Sequence, residues 1–106
     1  MSTAAGVVGC KRWRMRDGVT AEQVRRFVEE RIVPAYAVFG DNVVLGLQLH
    51  EDGTLLAEQR WTSRAARDGA MSGSAFEAWW ESYLPVLEQW GRLVEFVEEW
   101  DADILI

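Results

Sequence analysis

The chain holds one cysteine, Cys10, and one histidine, His50, among 106 residues. A lone thiol closes no intramolecular disulfide and builds no thiolate metal site. A lone imidazole leaves no pair of nitrogen ligands at metal spacing. Proline is confined to Pro34 and Pro85, so enforced breaks in regular structure are few. No apolar run nears the ~18 residues that a spanning helix needs, and the first residues lack the pattern of a secretory signal. Positive charge is scarce too: 11 Lys and Arg stand against 17 Asp and Glu, a net charge of −6. Phosphate backbones and anionic bilayers do not attract such a surface, so neither nucleic acid nor membrane is an expected partner. No glycine-rich phosphate loop and no Ser-His-Asp pattern occurs. The expectation is a single cytoplasmic domain over residues 1–106, with no metal and no cofactor.

Large apolar groups, in contrast, are abundant. The hydrophobic fraction is 49% and there are six tryptophans. A domain of this length buries only about two-thirds of its unfolded surface. The excess calls for a second surface, most simply a symmetric copy.

Met1 to Gly6 is small and polar and reads as a frayed end. Val7 to Arg16 reads as a strand, followed by an Asp17-Gly18 turn. Thr20 with Gln23 is a capping-box signature. The helix it opens runs to about Phe39, with Val24, Phe27, Val28, Ile32 and Ala35 inward. Pro34 is expected to kink or break it. Val43 to Glu51 alternates, with Val43, Leu45, Leu47 and Leu49 on one face and Val44, Gly46, Gln48 and His50 on the other. Glu51-Asp52-Gly53 makes a hairpin into a strand from Thr54 to Thr62. Ser63 N-caps a short helix reaching Met71. After a break at Met71-Ser72-Gly73, a helix from Ser74 to Gln89 presents Phe76, Trp79, Trp80, Tyr83, Leu84 and Leu87 on one face. Gly91 to about Ile104 completes the chain as a long strand.

Strand, helix, strand, strand, helix, strand is the order of an α+β, ferredoxin-like βαββαβ antiparallel sheet with its helices on one face. The first strand then lies antiparallel beside the last. Lys11, Arg12, Arg14 and Arg16 face Glu95, Glu98, Glu99 and Asp101, at about 0.2–1 kcal/mol per opposite-charge pair. The acidic run is thereby a structural partner and not a metal site. The uncovered sheet face is expected to pack on a second copy, giving a homodimer.

This element order, the strand end Gln59-Arg60-Trp61-Thr62-Ser63 and the Ser/Gly-rich break before Phe76 resemble the antibiotic-biosynthesis-monooxygenase-like family of dimeric α+β barrels. The resemblance spans nearly the whole chain. It implies a dimeric α/β barrel and, in one subset, cofactor-independent oxidation of polyketide phenols to quinones. Trp61 matches a tryptophan of that subset, but the asparagine four residues earlier is Ala57 here. A second subset degrades haem. Its asparagine, tryptophan and proximal histidine positions fall on Lys11, near Ala70 and near Trp80, and none matches. Haem needs an axial ligand, and His50 sits at a hairpin, so haem degradation is set aside.

The resemblance makes Trp61 a candidate catalytic residue that stacks on a substrate, and Arg60 beside it is a candidate by its own chemistry, able to orient an anionic phenolate. Trp80, Tyr83, Trp79 and Phe76 become the candidate substrate-binding residues for a flat aromatic small molecule. Each has a plainer reading. Aromatic rings dominate small cores, an apolar helix stripe is ordinarily packed, and His50 beside Glu51-Asp52-Gly53 reads as a solvent-exposed turn residue. Cys10 on a strand reads as a small buried hydrophobe. Three functions stay open: a cofactor-independent monooxygenase, a non-catalytic dimeric binding or accessory protein, and an isomerase or cyclase without oxygen chemistry.

Overall fold

A computed structural model describes residues 5–106. Of the expected frayed end, Met1 to Ala4 lie outside the described residues, and Gly6 already pairs in a strand. Four strands form one antiparallel sheet: β1 (Gly6–Met15), β2 (Val43–Leu49), β3 (Thr54–Trp61) and β4 (Val94–Ile104), in the order β2-β3-β1-β4. β1 and β3 are central, and β4 lies beside β1 as the alternation of the sequence requires. The molecule is therefore an α+β, ferredoxin-like fold.

Thr20 opens the first helix through a complete capping box. Its hydroxyl accepts from the Gln23 amide at 3.2 Å, and the Gln23 side chain accepts from the Thr20 amide at 2.8 Å. The expected single helix is divided into α1 (Ala21–Phe27), a π-helical turn (Val28–Ile32), α2 (Val33–Tyr36) and a 3₁₀ segment (Ala37–Asn42). Proline supplies the reason. Pro34 has no amide proton and its ring crowds the carbonyl of residue 30, so the backbone widens just ahead of it. The Val33 amide accordingly donates to Val28, five residues back.

Ser63 caps α3 (Arg64–Ala70) by accepting from the Ala66 amide at 2.9 Å. The second long helix, α4 (Gly73–Leu93), runs one turn beyond its expected end, so Gly91 to Leu93 are helical and not the start of the last strand. Trp90 is why: it continues the stripe of Tyr83 and is 3% exposed. Burying that ring outweighs the ~1 kcal/mol that a glycine costs in a helix. Arg16 receives the exposed end, donating from its backbone to Leu93 O (2.9 Å) and from Nε to Gly91 O (2.8 Å). The buried stripe is also rotated from the expected one, with Val86 buried and Leu84 exposed.

Period-two alternation separates the two faces of the sheet. Val7 and Trp61 pack with Val43, Tyr36, Tyr83 and Val86 at one end of the helix-covered face. Leu55 and Val94 pack with Val24 and Trp90 at the other end. On the uncovered face Val8, Cys10 and Leu56 form a smaller cluster beside Ile104. Arg12 sits over Trp100 there, 5.5 Å from the ring, and its guanidinium reaches Thr54 at 3.1 Å and His50 at 3.3 Å. His50 is therefore half-buried against Arg12 instead of free at the turn. The charged ladder forms in part, as Arg12–Glu98 (3.8 Å) and Arg16–Glu95 (3.6 Å). Asp101 is instead claimed by Arg67 of α3, at 3.1 Å.

Gly6 marks the tightest approach, since a Cβ there would stand 2.4 Å from the Trp61 carbonyl. Gly6→Ala is expected to destabilise the domain by about 1–3 kcal/mol, the usual range for overpacking. Thr20→Ala should cost about 1 kcal/mol through the lost cap. Urea unfolding of the two variants checks both values.

Candidate functional site

Two rows of residues cross the middle of the helix-covered face between its two aromatic-rich ends. One row is Leu47, Ala57, Lys11 and Glu99, and the next is Leu45, Gln59, Gly9 and Asp101. Gly9 and Ala57 occupy the two central strands with almost no side chain. A gap follows, because the large rings on either side rest on Val7 and Trp61 at one end and on Leu55 at the other.

The gap holds two neighbouring cavities that share lining residues, which we take as the inner and outer parts of one cleft. An inner part of about 100 Å³ lies under α4, against Trp80, Tyr83 and Trp90. An outer part of about 420 Å³ opens toward β4 and α3, against Trp61, Arg67, Glu99 and Asp101. Lys11, Ala57 and Gln59 border both. The outer part falls within the volume range of small-molecule sites, and the inner part holds less than a fused ring system.

Polar groups converge on this apolar space. Gln59 donates from Nε2 to the Tyr36 hydroxyl at 2.8 Å. Burial pushes the Tyr36 hydroxyl up from its ordinary value, although the hydrogen bond from Gln59 opposes the rise. Burial likewise raises Tyr83, and the neighbouring Tyr36 adds to it. Both tyrosines thus stay protonated and act as donors, not bases. Arg67 is held by Asp101, and Arg64 by Asp103 at 2.8 Å, which fixes α3 over β4.

The structure divides the sequence-derived candidates. Trp61 is 2% exposed and anchors the core while bordering the outer cleft. Arg60 is one residue along the strand, and alternation turns it to the uncovered face, 3.9 Å from Glu58. It is not brought to the cleft. Trp80 and Tyr83 border the inner part. Phe76 and Trp79 instead line a separate concavity of about 690 Å³ against Pro34, Val38 and Phe39, which Tyr83 also touches. Trp79 stacks on Tyr83 at 4.8 Å and donates from its indole to Ala35 O at 2.8 Å, so it fastens α4 to α2.

Lys11, Gln59, Tyr36 and Arg67 were not among the sequence candidates. Strand alternation carries the signal for the first two: Lys11 shares a face with Val7 and Trp13, and Gln59 with Leu55 and Trp61. Tyr36 and Arg67 come from helices whose placement depends on tertiary packing. Among the described residues no group of three His, Cys, Asp or Glu stands together as a metal site, and no helix is long and apolar enough to cross a membrane.

Solved structures of low sequence identity share this α+β fold. SnoaB of Streptomyces nogalater, a cofactor-independent oxygenase, is similar over 93% of this chain and 92% of its own, with 19% identity and a TM-score of 0.57. The Mycobacterium tuberculosis protein Rv0793 is 22% identical, with a TM-score of 0.60 over 94% and 95% of the two chains. A NIPSNAP family protein of unknown function from Agrobacterium tumefaciens reaches a TM-score of 0.63 at 16% identity, over 94% of this chain and 88% of that one. No family model and no curated protein sequence matches the chain.

Tyr36 and Tyr83 are the only tyrosines, so an alkaline titration reads the cleft directly. In the unfolded chain both ionise near pH 10, roughly the ordinary value. The folded state holds their protons longer, so above that pH it binds more protons than the unfolded state. Their contribution to stability is therefore constant below about pH 10 and declines as pH rises further. Tyrosinate absorbance is expected to lag behind that of the urea-unfolded protein and to rise together with the loss of tertiary structure.

Proposed function

We propose that the protein binds a flat aromatic small molecule in this cleft and oxidises it with dioxygen, without a cofactor. The observation that carries the reading is the gap over Gly9 and Ala57, walled by Trp61 and Tyr83 and edged by hydrogen-bond donors. The likeness in fold to the oxygenase SnoaB supports the same reaction class. The substrate supplies the electrons: an electron-rich phenolate reduces O₂, one oxygen atom bonds to a ring methylene carbon, and the other leaves as water. A CH₂ thus becomes C=O with one O₂ consumed and one H₂O formed. The protein contributes a dry aromatic wall that orients the ring, and neutral tyrosine hydroxyls that donate to the oxygen bearing the developing charge.

The small inner volume favours a second reading. Because Tyr36, Tyr83 and Trp90 fill most of that space, a non-catalytic dimeric binder would grip its ligand in the outer cleft alone. An isomerase or cyclase of the same fold would turn over without consuming oxygen. In each case a second copy covers the uncovered face, where Val44 is 63% and Trp100 37% exposed. Arg12 shields only part of Trp100, and such a surface favours sheet-to-sheet pairing.

Oxygen uptake with anthrone separates the readings. A cofactor-independent oxygenase consumes one O₂ per quinone formed. Saturable tryptophan quenching without uptake supports the binder, and conversion without uptake supports the isomerase or cyclase. A Cβ at Gly9 meets only Asp101 at 3.5 Å, so the fold accepts a side chain there. Gly9→Val should fill the cleft floor and cut turnover on the order of 100-fold, the scale of a misplaced reactant, with unfolding little changed. In sedimentation velocity the protein should run at twice the protomer mass, and Trp100→Glu should shift it toward the monomer.

A further inference from the structure

One charge in the cleft has no structural duty. Lys11 lies at the centre of the sheet, on the face it shares with buried Val7 and with Trp13. Its ammonium stays exposed to water on that otherwise largely apolar stretch of β1. Its neighbours on this face are Gly9 and Trp13 along the strand and Ala57 and Glu99 across from it, and it remains exposed. It lines both parts of the cleft.

The other cations around it are neutralised. Arg67 is paired with Asp101 (3.1 Å) and Asp68 (3.5 Å), and Arg64 with Asp103. On the uncovered face Arg12 has Glu98 and Arg60 has Glu58. Among the described residues no ion pair within 4 Å includes Lys11, although the chain carries 17 acidic residues. Glu99 is its cross-strand partner on β4, so the β4 side of Lys11 is negative. The β3 side has only Ala57 and the amide of Gln59, with the protonated Tyr36 hydroxyl beyond.

We infer that Lys11 is the anion-binding and specificity-determining residue of the cleft, and that the ligand is a phenolate whose oxygen lies on the Ala57 side, between Lys11 and Gln59. The inference rests on the reading of the cleft as an aromatic-binding site and adds the residue that holds its ligand's ionised oxygen. An ammonium in contact with a phenol favours the ionised form and lowers the phenol's pKa by about one to three. That equals a roughly ten- to thousandfold preference for the phenolate over the phenol. For the proposed oxidation this has a chemical use, because the phenolate is the form that gives up an electron.

Alizarin, a dihydroxyanthraquinone, tests the inference, because its visible band moves to longer wavelength on ionisation. Titrated with the intact protein across pH, bound alizarin should ionise at lower pH than the free dye by the margin above. In Lys11→Met the bound dye should revert to its free ionisation, and Lys11→Arg should retain the downward displacement. Glu99→Gln should tighten dye binding, because it removes the one unpaired acid beside the site. Lys11 is exposed, so these variants should fold, and circular dichroism confirms it. Saturable quenching with an unchanged pKa, or an equal displacement in Lys11→Met, overturns the role of Lys11 and leaves the aromatic site standing. Absence of saturable binding by both alizarin and uncharged anthraquinone overturns the aromatic site and this inference with it.

Discussion

β1 is hydrogen-bonded along both edges, to β3 on one side and β4 on the other, and the rest of the molecule depends on that double pairing. The pairing ties residues near the two ends of the chain into adjacent ladders. It also commits alternate residues of β1 to different surroundings. Val7 and Trp13 must meet helices, while Val8 and Cys10 must face away from them. A slip of one residue would exchange the two sets, so the register is strongly specified. Gly6 makes the start of the strand exact as well, because no larger residue fits against the Trp61 carbonyl.

Within that frame the aromatic residues are spent on two ends of a single core. Trp61, Tyr36 and Tyr83 close one end, and Trp90 with Phe27 and Trp13 closes the other. Rings of this size bridge from sheet to helix without filling the rows between them, where Gly9 and Ala57 stand. The same residues that stabilise the fold therefore outline the cleft. Lys11 and Gln59 depart from the rule that central-strand residues on a covered face are apolar, and departures from such rules tend to mark function.

The uncovered face shows a different use of charge. Arg12 spreads over Trp100 and binds Glu98, Thr54 and His50 at once, so a cation shields part of an apolar surface. β4 carries its acids on both faces. Glu98 supports this cluster, while Asp101 and Asp103 hold α3 in place. What reads along the sequence as one acidic run is, in space, two separate sets of partners.

Much of the fold was legible in the sequence, because local spacing determines it. Thr20 and Gln23 cap a helix by their separation alone, Asp52-Gly53 turns a hairpin, and alternation marks the strands. The stop of α4 was not legible: Gly91 looks like a terminator, and only the burial of Trp90 against Leu55 and Val94 shows why the helix continues. The π turn before Pro34 is a tertiary compromise of the same kind. Of the candidate residues, Trp61, Trp80 and Tyr83 border the cleft, whereas alternation along β3 turns Arg60 to the uncovered face. By itself the sequence determined the element order, the sheet topology and the supply of aromatic surface, since these follow from residue periodicity and turn chemistry. Only the tertiary structure decided where that surface leaves a gap and that Lys11 faces it. Space between side chains depends on which residues from distant parts of the chain come to lie opposite one another.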